Sequence, residues 1–260
     1  TAQPGNYFLS HFSPQEETFD NVCFDIVQNQ NGIMYFATRN GILEFDGRSW
    51  SLIPANGAVY SLQVGADGTM YWAGASGFGT IVTDDQGAQQ VQSLSPDGAS
   101  EVFISLIVND NIYFLSNEAL YVYTDPQKEP VTILASNLTG AFNNVFEMFG
   151  SIYLNSEQEG LHKVEGNNLV KSSLGFSDDD EILFVSPGDN NYLIGLTDSR
   201  IFLYGNDHNP TQINLKDAQY ARANVVVDGK WLNTQLLVLA TLRGGMIFVD
   251  VSSGKTEEIV

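Results

Sequence analysis

Arginine is scarce in this chain, and its placement is the first chemical signal. The 260 residues carry 31 Asp plus Glu against 11 Lys plus Arg, a net charge of −20. Only five of the cations are arginines, and four of them are Arg39, Arg200, Arg222 and Arg243. A guanidinium presents a planar fork that matches carboxylate or sulfate. Four forks gathered on one surface would recognise an anionic ligand, such as an acidic glycan or a small carboxylate. The alternative is that each arginine pairs with a neighbouring acid or caps a loop carbonyl. Trp72 and Phe78 are the aromatic counterparts, because sugar rings stack on aromatic platforms ringed by polar groups. Their alternative role is core packing.

Other chemistries find less support. There is no P-loop and no nucleophile elbow. Gly74-Ala75-Ser76-Gly77-Phe78-Gly79 is glycine-rich with the wrong spacing, and it reads as a turn between two strands. His11, His162 and His208 lie far apart without paired ligand spacing, which argues against zinc. The acidic run Asp178-Asp179-Asp180-Glu181 lacks the spaced pattern of a calcium loop and reads as a solvated loop. Asn137-Leu138-Thr139 matches a glycosylation sequon, a triplet that also occurs often by chance and that a bacterial source would make meaningless. Cys23 is the sole cysteine, so no internal disulfide forms, and its place in the apolar run Val22–Val27 predicts a buried strand thiol. No cofactor and no metal is expected. The acidic balance repels nucleic acid and anionic lipid.

The elements that would position these residues follow a repeat of about 40 residues. Its clearest copy runs from Asn21 to Pro54. Residues 22–28 form one strand, Asn29-Gln30-Asn31-Gly32 a hairpin turn, Ile33–Thr38 a second strand, and Arg39-Asn40-Gly41 another turn. Ile42–Asp46 form a third strand, Gly47-Arg48 turns the chain, and Trp50–Ile53 close the unit. Four short antiparallel strands with tight turns make one propeller blade. Further copies begin at Val59, Val102, Val145, Ile182 and Val225. Ile42, Leu120, Leu161, Ile201 and Met246 occupy equivalent third-strand positions, as do Phe45, Tyr123, Val164, Tyr204 and Val249. Residues Lys230–Thr234 read as an insertion between the first two strands of the sixth unit. No helical periodicity is visible.

The expected fold is therefore all-β, a β-propeller of four-stranded antiparallel blades with six visible repeats, forming one domain over residues 1–260. Two arrangements fit: a closed six-bladed ring, or a larger propeller whose last blade lies beyond Val260. The stretch Asn6–Phe12 offers an extra strand for closure. In such a fold Arg39, Arg200 and Arg243 fall in loops between second and third strands, and Arg222 in the loop leading into unit six. These loops share one face.

Residues Val22–Gln28, Gly32–Thr38, Asn40–Gly47 and Trp50 resemble the two-component regulator propeller repeat. Val59-Tyr60-Ser61-Leu62 with Asp67-Gly68-Thr69-Met70-Tyr71 resembles a second copy. The match is strong over residues 20–82; beyond them only the strand rhythm persists. The resemblance implies the periplasmic sensor region of a bacterial hybrid two-component protein, which in carbohydrate-sensing members takes an oligosaccharide. It implies downstream signalling domains on the same polypeptide. The sequence contains no kinase, DNA-binding module or apolar run near the ~18 residues of a membrane span, so it reads as an excised sensor fragment. Thr1-Ala2-Gln3 looks like a mature end left after signal removal, or an arbitrary boundary.

Three functions fit. The leading one is an extracytoplasmic sensor that binds a small molecule or oligosaccharide, without nucleic-acid or membrane contact. The second is a glycan-active enzyme using two of Glu118, Glu157, Glu159 and Asp198, since glycoside cleavage needs two carboxyls about 5–10 Å apart. The short loops argue against a deep pocket of that kind. The third is an interaction scaffold, which includes a homodimer joined through a propeller face.

Overall fold

The computed structural model describes residues 22–99, 101–125 and 127–259. The expectations for Thr1–Gln3, Asn6–Phe12 and His11 fall outside the described residues. The chain divides into two compact units, residues 1–95 and 96–260. Both are built from four-stranded antiparallel sheets whose strand order follows the chain, the blades of a β-propeller.

The first unit holds two blades. One comprises β1 (Cys23–Gln28), β2 (Met34–Thr38), β3 (Gly41–Phe45) and β4 (Trp50–Pro54). The other comprises β5 (Val59–Val64), β6 (Met70–Gly74), β7 (Gly77–Thr83) and β8 (Gln89–Ser93). Tyr35, Ile42 and Ile53 of one pack against Val59, Leu62 and Trp72 of the other. Burying each such side chain contributes about 1.5–3 kcal/mol relative to exposure.

The second unit holds four. The third blade is β9 (Val102–Val108), β10 (Asn111–Ser116), β11 (Ala119–Tyr123) and β12 (Val131–Leu134). The fourth is β13 (Phe142–Met148), β14 (Ser151–Ser156), β15 (Gly160–Glu165) and β16 (Asn168–Lys171). The fifth is β17 (Ile182–Pro187), β18 (Asn191–Leu196), β19 (Ile201–Gly205) and β20 (Pro210–Gln212). A seven-residue helix, α1 (Ala218–Asn224), leads into the sixth: β21 (Val226–Trp231), β22 (Leu236–Thr241), β23 (Met246–Asp250) and β24 (Thr256–Ile259). Adjacent blades interlock through their faces. Phe146, Met148 and Leu161 meet Ile194, Phe202 and Tyr204 between blades four and five. Leu193 and Ile201 meet Leu237, Leu239 and Ile247 between blades five and six.

Turn chemistry sets the strand ends. The Asn29 carboxamide oxygen accepts the N–H groups of Asn31 (2.9 Å) and Ile33 (3.0 Å), which closes the β1–β2 turn. Where β2, β10 and β22 end, a hydroxyl spans the next loop. Thr38 donates to Gly41 O (2.9 Å), Ser116 to Ala119 O (3.2 Å) and Thr241 to Gly245 O (2.8 Å). Each first strand also carries a register shift near its start, for example between Phe142 and Asn144 or Val226 and Asp228. The shift re-aims the side chain that follows it. Asn144 thereby reaches the next blade and donates to Ile182 O (2.8 Å) and Leu183 O (3.0 Å).

Several expectations need correction. Cys23 is exposed, because the start of β1 turns its side chains outward; its thiol donates to Asp25 O at 3.2 Å. The segment before the sixth blade is helical, with seven residues too few to display a periodicity. Lys230 and Trp231 are no insertion: they lengthen β21, pairing with Val238 and Leu237. Ile42, Leu120, Leu161 and Ile201 are buried at their equivalent positions, whereas Met246 is 46% exposed.

Candidate functional site

In the second unit the loops between second and third strands are tied to the segment leading into a first strand. Thr197 N–H donates to Glu181 O (3.0 Å), and Leu242 N–H to Val225 O (2.9 Å). The tie also crosses blades: Val226 N–H donates to the Ser199 hydroxyl at 3.2 Å. Arg200, Arg222 and Arg243 thus belong to one hydrogen-bonded surface at the same end of blades five and six.

Helix α1 carries Arg222, and it is stapled to the β22–β23 loop that carries Arg243. Tyr220 O–H donates to Gly244 O (3.0 Å), and Arg243 N–H donates to Asn224 O (3.3 Å). The fit is close. A Cβ on Gly244 would stand 2.5 Å from Asn224 Cγ and 2.8 Å from Tyr220 Oη. Val225, between α1 and β21, has φ +58°. A β-branched residue there is strained by about 1–3 kcal/mol, strain that persists only where the surroundings enforce it. Both arginines are exposed, and neither makes an ion pair among the described residues. Arg222 also sits in the last turn of α1, where a cation complements the helix dipole.

Arg200 is committed elsewhere. Its Nε bonds Asp198 Oδ2 at 2.6 Å, its Nη2 bonds Asp180, and its Cζ lies 5.8 Å from the centre of the Phe202 ring. Hydrogen bonds to Asp180, then to Asp198, raise its pKa further. Burial pushes the Asp180 carboxyl up, but hydrogen bonds from Ser177 and Arg200 outweigh it and leave the pKa lowered. A depressed carboxyl stabilises the fold above its unfolded value, near ~3.9, and that contribution is lost as pH falls through the folded value. Arg200→Met is expected to lower stability at pH 7 by about 1 kcal/mol. The gap to the parent should narrow as pH falls through the carboxylate range, read from urea unfolding at pH 7, 5 and 3. A gap that does not change with pH would refute this account of the pair.

Arg39 lies in the matching loop of the first blade, in the first unit, where it is exposed. The two aromatic candidates of that unit lie in its core. Trp72 sits mid-strand in β6, 3% exposed, with Nε1 donating to Thr80 O at 3.2 Å. Phe78 lies within β7 rather than in a loop, and it is fully buried. Neither ring faces a ligand in this arrangement.

The candidate acids are dispersed in their roles. Asp198 holds Arg200. Glu159 accepts the Thr139 N–H, which lowers its pKa and keeps it a carboxylate rather than an acid. Glu157 and Glu181 line a cavity of about 430 Å³. Glu118 is exposed in the β10–β11 loop. His162 is 3% exposed on β15, and burial lowers its pKa. The acidic run is a loop whose Asp178 pairs with Lys171 at 2.7 Å. Among the described residues no group of three or more His, Cys, Asp or Glu is placed to hold a metal ion.

Sequence reasoning missed a second concavity. A cleft of about 630 Å³ opens between the β17–β18 turn and the β21–β22 turn, with Trp231 in its wall. The available signal was a tryptophan followed by Leu-Asn-Thr, hidden by reading the segment as an insertion.

No family model matches the chain, and no curated protein matches it in sequence. Solved structures do match in fold. The extracellular domain of BT4673 from B. thetaiotaomicron, termed a hybrid two component system, aligns with a TM-score of 0.73 at 14% identity over 92% of this chain and 33% of that one. The corresponding domain of BT3049 aligns with a TM-score of 0.66 at 14% identity over 93% and 35%. Virginiamycin B lyase from Staphylococcus aureus aligns with a TM-score of 0.71 at 11% identity over 93% and 85%. The chain thus spans about a third of the two-component chains it matches, and the likeness establishes the propeller fold.

Proposed function

We propose that this chain is the extracytoplasmic ligand-sensing propeller of a two-component-type signalling protein, with its output domains on the same polypeptide. Its ligand is a small anionic molecule, an acidic glycan or a carboxylate. The observation that carries the site is the Arg222–Arg243 pair. Two exposed arginines without ion-pair partners among the described residues sit on segments tied backbone to backbone, next to a strained Val225, on a chain of net charge −20. Their backbone positions are fixed by the Tyr220 staple, so little ordering is needed on binding. The fold likeness to extracellular domains of two-component systems supports the sensor reading and a periplasmic location. Among the described residues no helix is long and apolar enough to cross a membrane. Glu159, whose carboxyl is lowered by the Thr139 hydrogen bond, is a poor candidate for the protonated acid that glycoside turnover needs near neutral pH, which favours binding.

The test is a thermal-shift screen of the chain with neutral oligosaccharides, uronate-containing oligosaccharides and small carboxylates, with each hit assayed for product. An acidic compound should raise stability by about 2.7 kcal/mol at a hundredfold excess over its Kd, without turnover. Product release would make the chain an enzyme. Stabilisation by no acidic compound would leave the scaffold reading in its place.

A further inference from the structure

We infer that the cleft beside Trp231 is a second binding site, at the opposite end of blades five and six from the arginines, and that it takes an uncharged, hydroxyl-bearing ring such as a neutral sugar residue. The strand β22 separates the two ends by roughly 17 Å, at ~3.4 Å per residue.

Both walls of the cleft are braced turns. In one, Gly188 N–H donates to Asn191 O at 2.8 Å. In the other, the Asn233 carboxamide oxygen accepts the N–H groups of Gln235 and Leu236, each at 2.9 Å. Between them lies a volume of about 630 Å³, within the range of small-molecule sites. Trp231 ends β21 at this opening, and its indole lies against Gly188. A Cβ at position 188 would stand 2.8 Å from Trp231 Nε1 and 2.9 Å from Cε2. Gly188 is not at positive φ, so its bare Cα serves the close approach of the indole and not the backbone conformation. The Trp231 N–H is enclosed against Gly188 without a hydrogen-bond partner among the described residues, an expensive state for a buried donor.

The chemistry of the lining selects the ligand. Asn190, Asn191, Asn233 and Thr234 are neutral groups that donate and accept, and the one charged lining residue is Asp189. Asp189 repels anions, so this cleft cannot be a second copy of the arginine site. A tryptophan in the wall with carboxamides and a hydroxyl around it suits a ring that is apolar on its faces and polar at its edge.

Tryptophan fluorescence reads the site directly. Of the three tryptophans, Trp72 is shut in the core of the first unit and Trp50 stacks on Phe45 there. The chain is titrated with neutral trisaccharides of glucose, mannose, galactose or xylose, up to about 10 mM, ten times a millimolar Kd. At least one should give a saturable change. Trp231→Ala should abolish it, and Asn190→Ala, on an exposed turn whose change leaves the fold intact, should weaken it by about tenfold. Arg222→Glu with Arg243→Glu should leave it unchanged, which separates this site from the anion site. The inference fails if no trisaccharide perturbs the fluorescence. It fails equally if the response survives Trp231→Ala and Asn190→Ala, or if it disappears with the arginines.

Discussion

Replacing Gly79 by alanine is expected to unfold the second blade at markedly lower denaturant, a loss of about 3 kcal/mol. Gly79 pairs with Trp72 on one side and Ser93 on the other. A Cβ there would stand 1.8 Å from Gln92 O, 2.8 Å from Gln92 C and 3.0 Å from Ser93 Cα. All three atoms are backbone, so no side chain can swing aside and β8 itself must move. Gly79 is not at positive φ, so the penalty is one of close approach. Gly87 provides the contrast. It has φ +86° with nothing within 4 Å of its missing Cβ. Gly87→Ala should therefore show only the left-handed backbone penalty, about 1 kcal/mol. Urea unfolding followed by the fluorescence of Trp72 compares the two. Equal losses would mean that the β7–β8 approach is looser than described.

The repeat was legible because its signals are local. Apolar alternation and Asn-Gly, Asp-Gly or Arg-Asn-Gly turns are complete within ten residues, and they located every first, second and third strand. Fourth strands such as Gln89–Ser93 and Asn168–Lys171 are edge strands, mostly exposed and polar, so hydrophobic patterning did not mark those of blades two to six. Helix α1 offers one buried residue, Ala221, too little for a periodic signal. The register shifts at the start of each first strand are invisible for another reason. They are set by pairing with the neighbouring strand, and they decide that Asn144 points to the next blade.

The candidate site was legible only in part. Loop position placed Arg200 and Arg243 on one surface of the second unit because the repeat dictates it. What the repeat does not dictate is the local partner. Arg200 meets Asp198 in its own loop and also Asp180, twenty residues away in sequence, and only the first of these acids could be read from that loop. Phe78 followed a glycine turn and looked like loop, but β7 begins at Gly77, and the pairing of Gly77 with Gly74 draws Phe78 inward. Trp231 was masked by the opposite error, a strand end taken for an insertion.

Reversing the charge of both free-standing arginines should separate recognition from stability. In Arg222→Glu/Arg243→Glu, affinity for the acidic ligand found in the thermal screen should fall by about a hundredfold or more, since each charge-assisted hydrogen bond contributes roughly 1.5–3 kcal/mol. Unliganded stability should move by no more than about 0.5 kcal/mol, because exposed side chains outside any ion pair are energetically quiet. Arg200→Met predicts the reverse pattern, a loss of stability with affinity largely kept. The parent's affinity should also weaken as salt rises toward the ~0.15 M range, and the reversed variant should lose that dependence. Arg39→Ala is the companion measurement for the first unit: unchanged affinity confines the anion site to blades five and six. Isothermal titration at two salt concentrations supplies all of these numbers. Unaltered affinity in the double reversal would remove the arginine pair from recognition. Lost affinity joined to lost stability would assign the pair to the support of α1 instead of to the ligand.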